Sequence, residues 1–519
     1  MELIKKRIHY VREGKKIFDQ FYVDEDYNVP EAKEDVRRIV DTGTELKIEE
    51  IRPVENYVRI TGKLYFRILY LNVSSDPKPG VLEGKLPFEE MVYAENQEGE
   101  EFYVQNVRIE FTPSLIHSRK LSLRAMVELE VGREKLVDEE TVTDAEGDVP
   151  LYKKMKKVQL LQLEVTKKDT YRIKEEITIP GTKESIGQIL FSDISERKLE
   201  LRPGQDELIV RGELFLFCMY LSGDEKPDWI SQTIPYEGRI PCEGISEEMY
   251  FSIRHTMEDT LTDLRMDEDG EMRILGIEGT LALHMNFYRE ESVELLEDLY
   301  SLQKQCLFDT TEVVCEELLM QNQSKCKVTE RLSLPELKTD VLQILHARGA
   351  IQVEHADRTG EGIRVEGILH LSFLYLRGDD AEPYGSWQGM IPFEHQIECK
   401  EMPEETVYNM EQHIEQLQIT LVGSESVEIK GILTFDTFLR RPVKVWTMEN
   451  VREEPLDLEQ LEKRPSIVGH IVQRGEDLWQ LAKQYMTTKE GIMEVNGMQN
   501  ENVKEGDKLL IFKENMSIL

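Results

Sequence analysis

The sequence predicts a mainly β protein in which three tandem copies of one module precede a small βααβ unit. One strand-like segment occurs in three similar copies, ITGKLYFRILYL from Ile60, VRGELFLFCMYL from Val210 and VEGILHLSFLYL from Val365. A later mark, Pro-Phe-Glu or Pro-Tyr-Glu, begins at Pro87, Pro235 and Pro392. A proline also stands 32 residues before the glycine of each stretch, at Pro30, Pro180 and Pro335. Repeats at a constant spacing indicate tandem domains of one fold.

The strands of the module are marked by their apolar patterns. The stretch before each proline alternates apolar and polar residues, as in YRIKEEITIP, which ends at Pro180. This period of two is typical of a strand with one buried face. The glycine-containing strand is apolar on nearly both faces in the second and third copies, and such a strand needs cover on both faces. We therefore expect each module to be a β-sandwich or a barrel.

The glycine inside this strand has a structural and a functional interpretation. Glycine in a strand is typical of a bulge or of a close approach by another part of the chain. A functional role would require a ligand beside the strand. We favour the structural role for the three equivalent residues, Gly62, Gly212 and Gly367.

Each module is also predicted to contain a short helix. Apolar residues stand 6, 9 and 10 positions after each proline, as Val36, Ile39 and Val40, then Ile186, Ile189 and Leu190, then Val341, Ile344 and Leu345. This spacing places three side chains on one face of a helix. The segment Ser292 to Gln305 is the best candidate for a longer helix. A second long strand closes each module, and the constant internal spacing leads us to expect three independent cores.

The repeats and the change of composition after them define five segments. We assign modules to residues 1–150, 165–305 and 320–450, an acidic, proline-containing tether to residues 451–466, and the C-terminal unit to residues 467–514. A chain of 519 residues is too long for one hydrophobic core, which agrees with several domains.

The charge and the cysteines restrict the function. A net charge of -37 disfavours nucleic acid and anionic membrane surfaces, which bind clustered Lys and Arg. The six cysteines form no C-x-x-C pair, so we expect free thiols in a reducing cytosol and no metal site. The charged N-terminus lacks the apolar run of a signal peptide, and we expect the protein to stay in the compartment where it is made.

The C-terminal unit reads as strand, helix, helix, strand. Asp477 is placed to cap a first helix, with Gln480 three residues later, as in a capping box. An apolar stripe then follows at helical spacing, through Leu478, Leu481, Ala482 and Tyr485. Trp479 lies about 100° from Leu478 around the helix, at the edge of that stripe. It either covers the small core or presents an exposed edge to a partner.

This unit resembles a LysM domain over its whole length, because its glycines, its helix caps, its Leu-Trp pair, its Asn and its final Gly fall in the family's order. LysM domains bind N-acetylglucosamine chains in a groove between the first loop and the loop after the second helix. Glu476 and Asp477 replace the Asp-Thr that is usual in the first loop. We assign partner binding to seven residues of the first loop, the first helix and the second loop: Gly475, Asp477, Leu478, Trp479, Asn496, Gly497 and Met498.

The upstream modules resemble the SPOCS domain of spore-coat proteins in the glycine strand, the Pro-Phe-Glu mark and the LEDLYS segment at Leu296 to Ser301. Repeated SPOCS modules with one C-terminal LysM unit are similar to coat morphogenetic proteins of the SipL type. The resemblance implies a scaffold in the cytoplasm of the mother cell, at the forespore surface and in the spore coat. Its LysM unit would dock on the morphogenetic ATPase there and bring other coat proteins to it.

Two other functions remain open. A cell-wall protein would use the same LysM unit on peptidoglycan, but it should be exported. A hydrolase would need a catalytic cluster, and the chain has no H-E-x-x-H, G-x-S-x-G or G-x-x-x-x-G-K-[ST] motif. We therefore expect no enzymatic activity and no cofactor.

Overall fold

The computed structural model describes residues 1–95, 98–335, 337, 341–423, 425–457 and 465–513. The first module contains β1 (Glu2–Glu13), β2 (Ile17–Asn28), β3 (Val36–Val54), β4 (Tyr57–Asn72), β5 (Pro79–Tyr93), β6 (Glu101–His117) and β7 (Lys120–Glu146). The second contains β8 (Tyr152–Thr178), β9 (Ile186–Pro203), β10 (Glu207–Ser222), β11 (Pro227–Pro241), β12 (Tyr250–Met266) and β13 (Met272–Tyr300). The third contains β14 (Lys304–Ser333), β15 (Val341–Thr359), β16 (Gly362–Arg377), β17 (Tyr384–Glu398), β18 (Val407–Leu421) and β19 (Ser426–Pro455). The C-terminal unit contains β20 (Ile467–Ile471), α1 (Leu478–Tyr485), α2 (Lys489–Asn496) and β21 (Lys508–Phe512).

The protein is mainly β, as the sequence predicts, and each module has two antiparallel sheets. One sheet is a meander, in the orders β3-β4-β5, β9-β10-β11 and β15-β16-β17. The other surrounds the closing strand, with β7 paired to β1, β2 and β6, β13 paired to β8 and β12, and β19 paired to β14 and β18. The second module buries Leu214 of the meander and Leu281 of the closing strand in one hydrophobic cluster. The two sheets therefore share a core.

The repeated marks of the sequence pack on each other. Each glycine lies opposite the aromatic residue of the later mark, in the pairs Gly62–Phe88, Gly212–Tyr236 and Gly367–Phe393. A Cβ atom on Gly367 would lie 2.7 Å from the Phe393 ring, which is too close for a real side chain. The glutamate of the mark pairs with an arginine of the central strand, as Arg59–Glu89, Arg211–Glu237 and Arg364–Glu394. The predicted close approach at the glycine is confirmed.

The short helix expected in each module is wrong, because its residues begin strands β3, β9 and β15. The register of β3 shifts between Val36 and Arg38 and again between Ile39 and Asp41. The same two shifts occur in β9 and β15. A bulge inserts one extra residue, so the spacing of inward side chains rises from two to three and imitates a helix.

The longer helix expected at Ser292 to Gln305 is also wrong. Ser292 to Tyr300 form the end of β13, and Lys304 begins β14. A register shift between Leu296 and Asp298 again breaks the alternation of apolar residues. Bulges thus explain both errors.

The modules are not independent, which corrects a third expectation. The bulge residues Val40, Leu190 and Leu345 occupy the same position of the repeat and lie in one hydrophobic cluster. Leu69, Met219 and Leu374, also equivalent to one another, lie in the same cluster. Equivalent residues of three repeats meet only when the repeats surround a common axis, so we call this group the axial cluster. A bulge re-aims a side chain, and here it turns one from each module toward the axis.

The long strand pairs of the modules form a second shared core, which we call the stem (residues 1–13, 134–163, 288–318 and 439–455). Ile8, Val158 and Val313, which are equivalent in the repeat, pack in one cluster there, together with Tyr10, Leu160 and Cys315. A further cluster joins Val142, Leu296 and Met448 near the stem tip.

All six cysteines are free, as expected.

The first part of the expected tether belongs to the stem. Strand β19 continues to Pro455, which pairs with Lys304 of β14, so residues 451–455 are in the sheet. Residues 458–464 of the tether lie outside the described part of the chain.

A buried arginine connects the third module to the first. Arg440 is 1% exposed and donates hydrogen bonds to Glu316 Oε1 (2.8 Å) and Asn409 Oδ1 (2.6 Å). It also lies 3.4 Å from Glu13 of strand β1. Burial raises the pKa of Glu13, but the charge of Arg440 and the amide of Asn409 lower it by more, so this pKa lies below its ordinary value. The charge of Arg440 is thus the main cause of the lowered pKa of Glu13.

A second buried pair connects the second module to the first. Arg254 donates to Glu134 Oε2 at 2.6 Å, and its guanidinium also lies 2.6 Å from Nδ1 of His284. Nδ1 must accept this hydrogen bond, since arginine is always charged. Burial, followed by the charges of Arg254 and Lys168, lowers the pKa of His284 from 6.5 to about 4. His284 is therefore neutral in the folded protein at neutral pH.

Substituting Gly212 should test the packing of the repeated marks. In Gly212→Val the Cβ would lie 2.6 Å from Tyr236 Cζ. The free energy of unfolding should fall by more than the ~1 kcal/mol that β propensity spans. The control is Gly469→Val in β20, where no atom lies within 4 Å of the Cβ position. Urea unfolding should separate the two variants, and equal stability would show that the glycine is incidental.

Removing the buried charge should be costly. Arg440→Met leaves Glu13 and Glu316 buried without their cation, and we expect a loss of about 3–5 kcal/mol in the free energy of unfolding. Arg441→Met is the matched control, because Arg441 is 41% exposed in its pair with Glu317 and should contribute less than about 1 kcal/mol. A small effect of Arg440→Met on the urea midpoint would contradict the role of this contact.

His284 should make the stability depend on pH. A histidine whose pKa is lowered by folding stabilises the fold above its unfolded pKa and loses that contribution as the pH falls toward the folded pKa. Between pH 7 and 5.5 the loss from His284 should be about 1 kcal/mol. Urea unfolding at both pH values should show a smaller loss for His284→Gln, whose amide oxygen can still accept from Arg254. An unchanged pH dependence would exclude this assignment.

Candidate functional site

The C-terminal unit has the predicted order of elements and the predicted first cap. Asp477 accepts a hydrogen bond from the backbone N–H of Gln480, and the Gln480 side chain accepts one from the backbone N–H of Asp477. Leu478 is 1% exposed and lies in the core with Leu481 and Ala482. The capping box and the apolar stripe are confirmed.

The first loop is braced by its acidic residue. Glu476 Oε2 lies 2.7 Å from His470 Nε2 and accepts a hydrogen bond from the backbone N–H of Gln473 at 2.8 Å. The backbone hydrogen bond from Gln473, and then His470, lower the pKa of Glu476. His470 Nδ1 in turn lies 3.1 Å from the hydroxyl of Tyr485. Glu476 therefore has a structural role in the loop.

The two loops expected to form a binding groove contain exposed glycines in left-handed conformations. Gly475 has φ +87° and Gly497 has φ +61°, and no atom lies within 4 Å of either Cβ position. Asn496 holds α2 to β21, because its amide donates to the Leu510 carbonyl and its oxygen accepts from the Leu510 N–H, both at 2.8 Å. Met498 is half-buried against the core. Asn496 and Met498 thus support the domain itself.

Trp479 is not accessible, which corrects the expectation of an exposed edge. It is only 6% exposed and lies edge-on to the ring of Tyr300, with 5.0 Å between the ring centroids. Its indole Nε1 donates to Asp298 Oδ2 at 2.7 Å. Asp298 and Tyr300 belong to the end of β13 at the stem tip. The position of Trp479 at the edge of the apolar stripe correctly indicated a contact outside the stripe, but the sequence did not show that this contact is with the stem.

Further contacts join the C-terminal unit to the stem tip. Lys483 donates to Asp298 Oδ1 at 2.6 Å, and Lys154 of β8 donates to Asp477 Oδ2 at 3.1 Å. The hydroxyl of Tyr300 donates to the backbone carbonyl of Thr487 at 2.8 Å. Tyr300 stacks on Tyr152, with 5.0 Å between ring centroids. We call the residues Tyr152, Lys154, Asp298, Tyr300 and Leu302 the dock.

The opposite side of the unit carries an exposed apolar surface that sequence analysis missed. Four residues, which we call the sheet face, are between 39% and 59% exposed: Ile467, Ile471, Leu510 and Phe512. Ile467 pairs with Phe512, and Leu510 pairs with Gly469, so all four side chains project from one side of the two-stranded sheet. The alternation in IVGHI and KLLIF was the signal that could have revealed it.

A cleft of about 1190 Å³ lies where the three modules meet. Four histidines line it, His255, His284, His370 and His413. Three of its arginines pair with carboxylates, in Arg108–Glu128, Arg254–Glu134 and Arg348–Asp41. The first pair lies within the first module, whereas the Arg254 and Arg348 pairs join the second and third modules to the first. Among the residues that the structure describes, no group of three or more His, Cys, Asp and Glu side chains could hold a metal ion.

Comparison with protein families identifies both parts of the chain. The model of the SipL, SPOCS domain matches residues 35–112, 185–265 and 340–422, and the LysM domain model matches residues 470–512. Each SPOCS match spans a meander sheet and most of the strand that follows it, so the long stem strands lie largely outside the matched ranges. No curated protein and no solved structure matches the chain.

These domains suggest association with the spore coat, and the LysM domain suggests possible binding of peptidoglycan. In the described ranges no helix is long and apolar enough to cross a bilayer. The chain is therefore a SPOCS-domain protein with a C-terminal LysM domain.

Proposed function

We propose that this protein is a non-enzymatic scaffold of the spore coat, in the cytoplasm of the mother cell. Its LysM domain docks on the morphogenetic ATPase at the forespore surface, and its SPOCS modules bring other coat proteins to that surface. The observation that carries this proposal is the sheet face, because four large apolar side chains are exposed on one side of a very small domain. Exposed apolar surface of this kind marks a protein contact.

The first loop favours a protein partner over a glycan. Glu476 is engaged by His470 and Gln473, and Asp477 is engaged by Lys154, so a sugar hydroxyl would have to share each carboxylate with these partners. Trp479, the one tryptophan of the domain, is buried against the stem. The exposed Gly475 and Gly497 leave the backbone of the groove open, which keeps peptidoglycan binding as the second candidate.

The three modules suit a rigid scaffold. We propose that each is a β-sandwich, which is supported by the hydrophobic clusters that both of its sheets share. The axial cluster and the stem fix the modules to one another, so several coat proteins could be held at constant relative positions. The net charge of -37 favours basic partners, since complementary charge accelerates encounter.

Substitutions in the sheet face test the proposed function. The full-length chain with Ile471→Ser and Leu510→Ser should capture the morphogenetic ATPase at least about thirtyfold more weakly, which corresponds to about 2 kcal/mol. Leu261→Ser is the matched control, because Leu261 is an apolar residue 53% exposed on the second module. Pull-down titrations of the purified proteins measure the affinity.

Three outcomes separate the candidates. Loss of capture only in the sheet-face variant supports docking on the ATPase. Capture that is unchanged by these substitutions would refute the sheet face as the contact. Competition by muropeptides, together with direct muropeptide binding by the wild-type chain, would favour the peptidoglycan function.

A further inference from the structure

The LysM domain is not an isolated appendage, because one long side of helix α1 lies against the stem tip. Lys154 contacts Asp477 before the helix, Asp298 contacts Trp479 and Lys483 within it, and Tyr300 contacts the carbonyl of Thr487 after it. Three points along one helix fix both its rotation and its position along its axis. The contact is therefore specific in geometry.

We propose that the dock is a binding site for this chain's own LysM domain, and that Asp298 is the positioning residue that fixes the domain's orientation. In this orientation the Trp479 side stays with the stem, while the sheet face is free for the partner. The role of the sheet face in partner binding rests on the proposed function, whereas the binding of the LysM domain at the dock does not.

Asp298 is suited to this role because its two oxygens have different partners on one helix face. Oδ2 accepts from the neutral indole N–H of Trp479, and Oδ1 accepts from the ammonium of Lys483. Residues 479 and 483 are four apart, so both donors stand on the same side of α1. Asparagine could accept only one of these bonds and would lack the charge that Lys483 requires.

Tyr300 supplies the apolar part of the dock. Its ring is 4% exposed between Tyr152 and Trp479, in the same hydrophobic cluster as Leu478 and Leu481 of the LysM domain. The hydroxyl satisfies the Thr487 carbonyl, which lies just after the end of α1. The stem thus completes the LysM core as well as binding its surface.

Cutting the chain between the two parts tests the dock. A protease site is placed within residues 458–464 of the full-length protein, the folded protein is cleaved, and the products are separated by size-exclusion chromatography. In the wild-type chain the LysM fragment should remain with the SPOCS modules. Asp298→Asn and Trp479→Phe should each raise the dissociation constant at least about tenfold, since each removes a hydrogen bond made to or from a charged group.

The double variant provides a stricter measurement. Asp298→Asn combined with Trp479→Phe should weaken retention less than the product of the two single effects, because the two side chains contact each other directly and their substitutions are therefore not independent. Glu294→Gln, an exposed position on the same strand, is the control and should leave retention unchanged. A wild-type fragment that separates from the modules at micromolar concentration would overturn the proposal, as would fully independent effects of the two substitutions.

The uncut protein separates this proposal from the proposed function. Asp298→Asn should still capture the ATPase, because the sheet face is unaltered, while the sheet-face variant should retain its LysM fragment after cleavage. If Asp298→Asn instead strengthens capture, the Trp479 side is the partner's site and the assigned orientation is wrong. Failure of the sheet-face variant to lose capture would refute the proposed function and leave the dock intact.

Discussion

The three modules depend on one another because each turns apolar side chains out of its own core and into clusters that only the other two complete. The bulge that directs Val40, Leu190 and Leu345 to the axis would expose a large aliphatic residue in a separated module. A buried ion pair also joins the modules, because Arg440 on a strand of the third module neutralises Glu13 of the first. A buried carboxylate without its cation is costly, so the contact disfavours any arrangement that parts these strands.

The repeated Pro-Phe-Glu mark can be understood from its place on an edge strand. Pro87, Pro235 and Pro392 lie in β5, β11 and β17, each of which is an edge strand of its meander sheet. Proline lacks the N–H that a pairing strand would need, and proteins use it to prevent edge-to-edge association. The aromatic residue fills the space over the glycine of the central strand. The proline and the aromatic residue of the mark therefore act on opposite sides of the edge strand's function, one limiting further pairing and the other completing the packing within the module.

Sequence reasoning succeeded where one module determines the structure and failed where modules meet. The repeat, the strand pattern, the close approach at Gly367 and the cap at Asp477 depend on neighbours within one unit. The helices expected from Val36 and Ser292 failed because bulges give a strand a helical spacing, and those bulges serve contacts with other modules. Trp479 failed for the same reason, since Asp298 and Tyr300 lie about 180 residues earlier in the chain. A periodic pattern reports that a side chain is covered and does not report what covers it.

The LysM domain has one side that is covered by the stem and one side, the sheet face, that is exposed. This difference follows from the small size of the domain. A domain of roughly 50 residues buries too little apolar surface to be very stable alone. The stem contributes Tyr300 and half-buried Tyr152 and Leu302 to its core, and it does so through α1. The outer face of the two-stranded sheet, β20 and β21, is therefore not needed to complete that core. It can carry Ile471 and Leu510 in the open, where they add nothing to the domain's own packing and are available to a partner. The contact that stabilises the LysM domain thus also determines which of its surfaces is free.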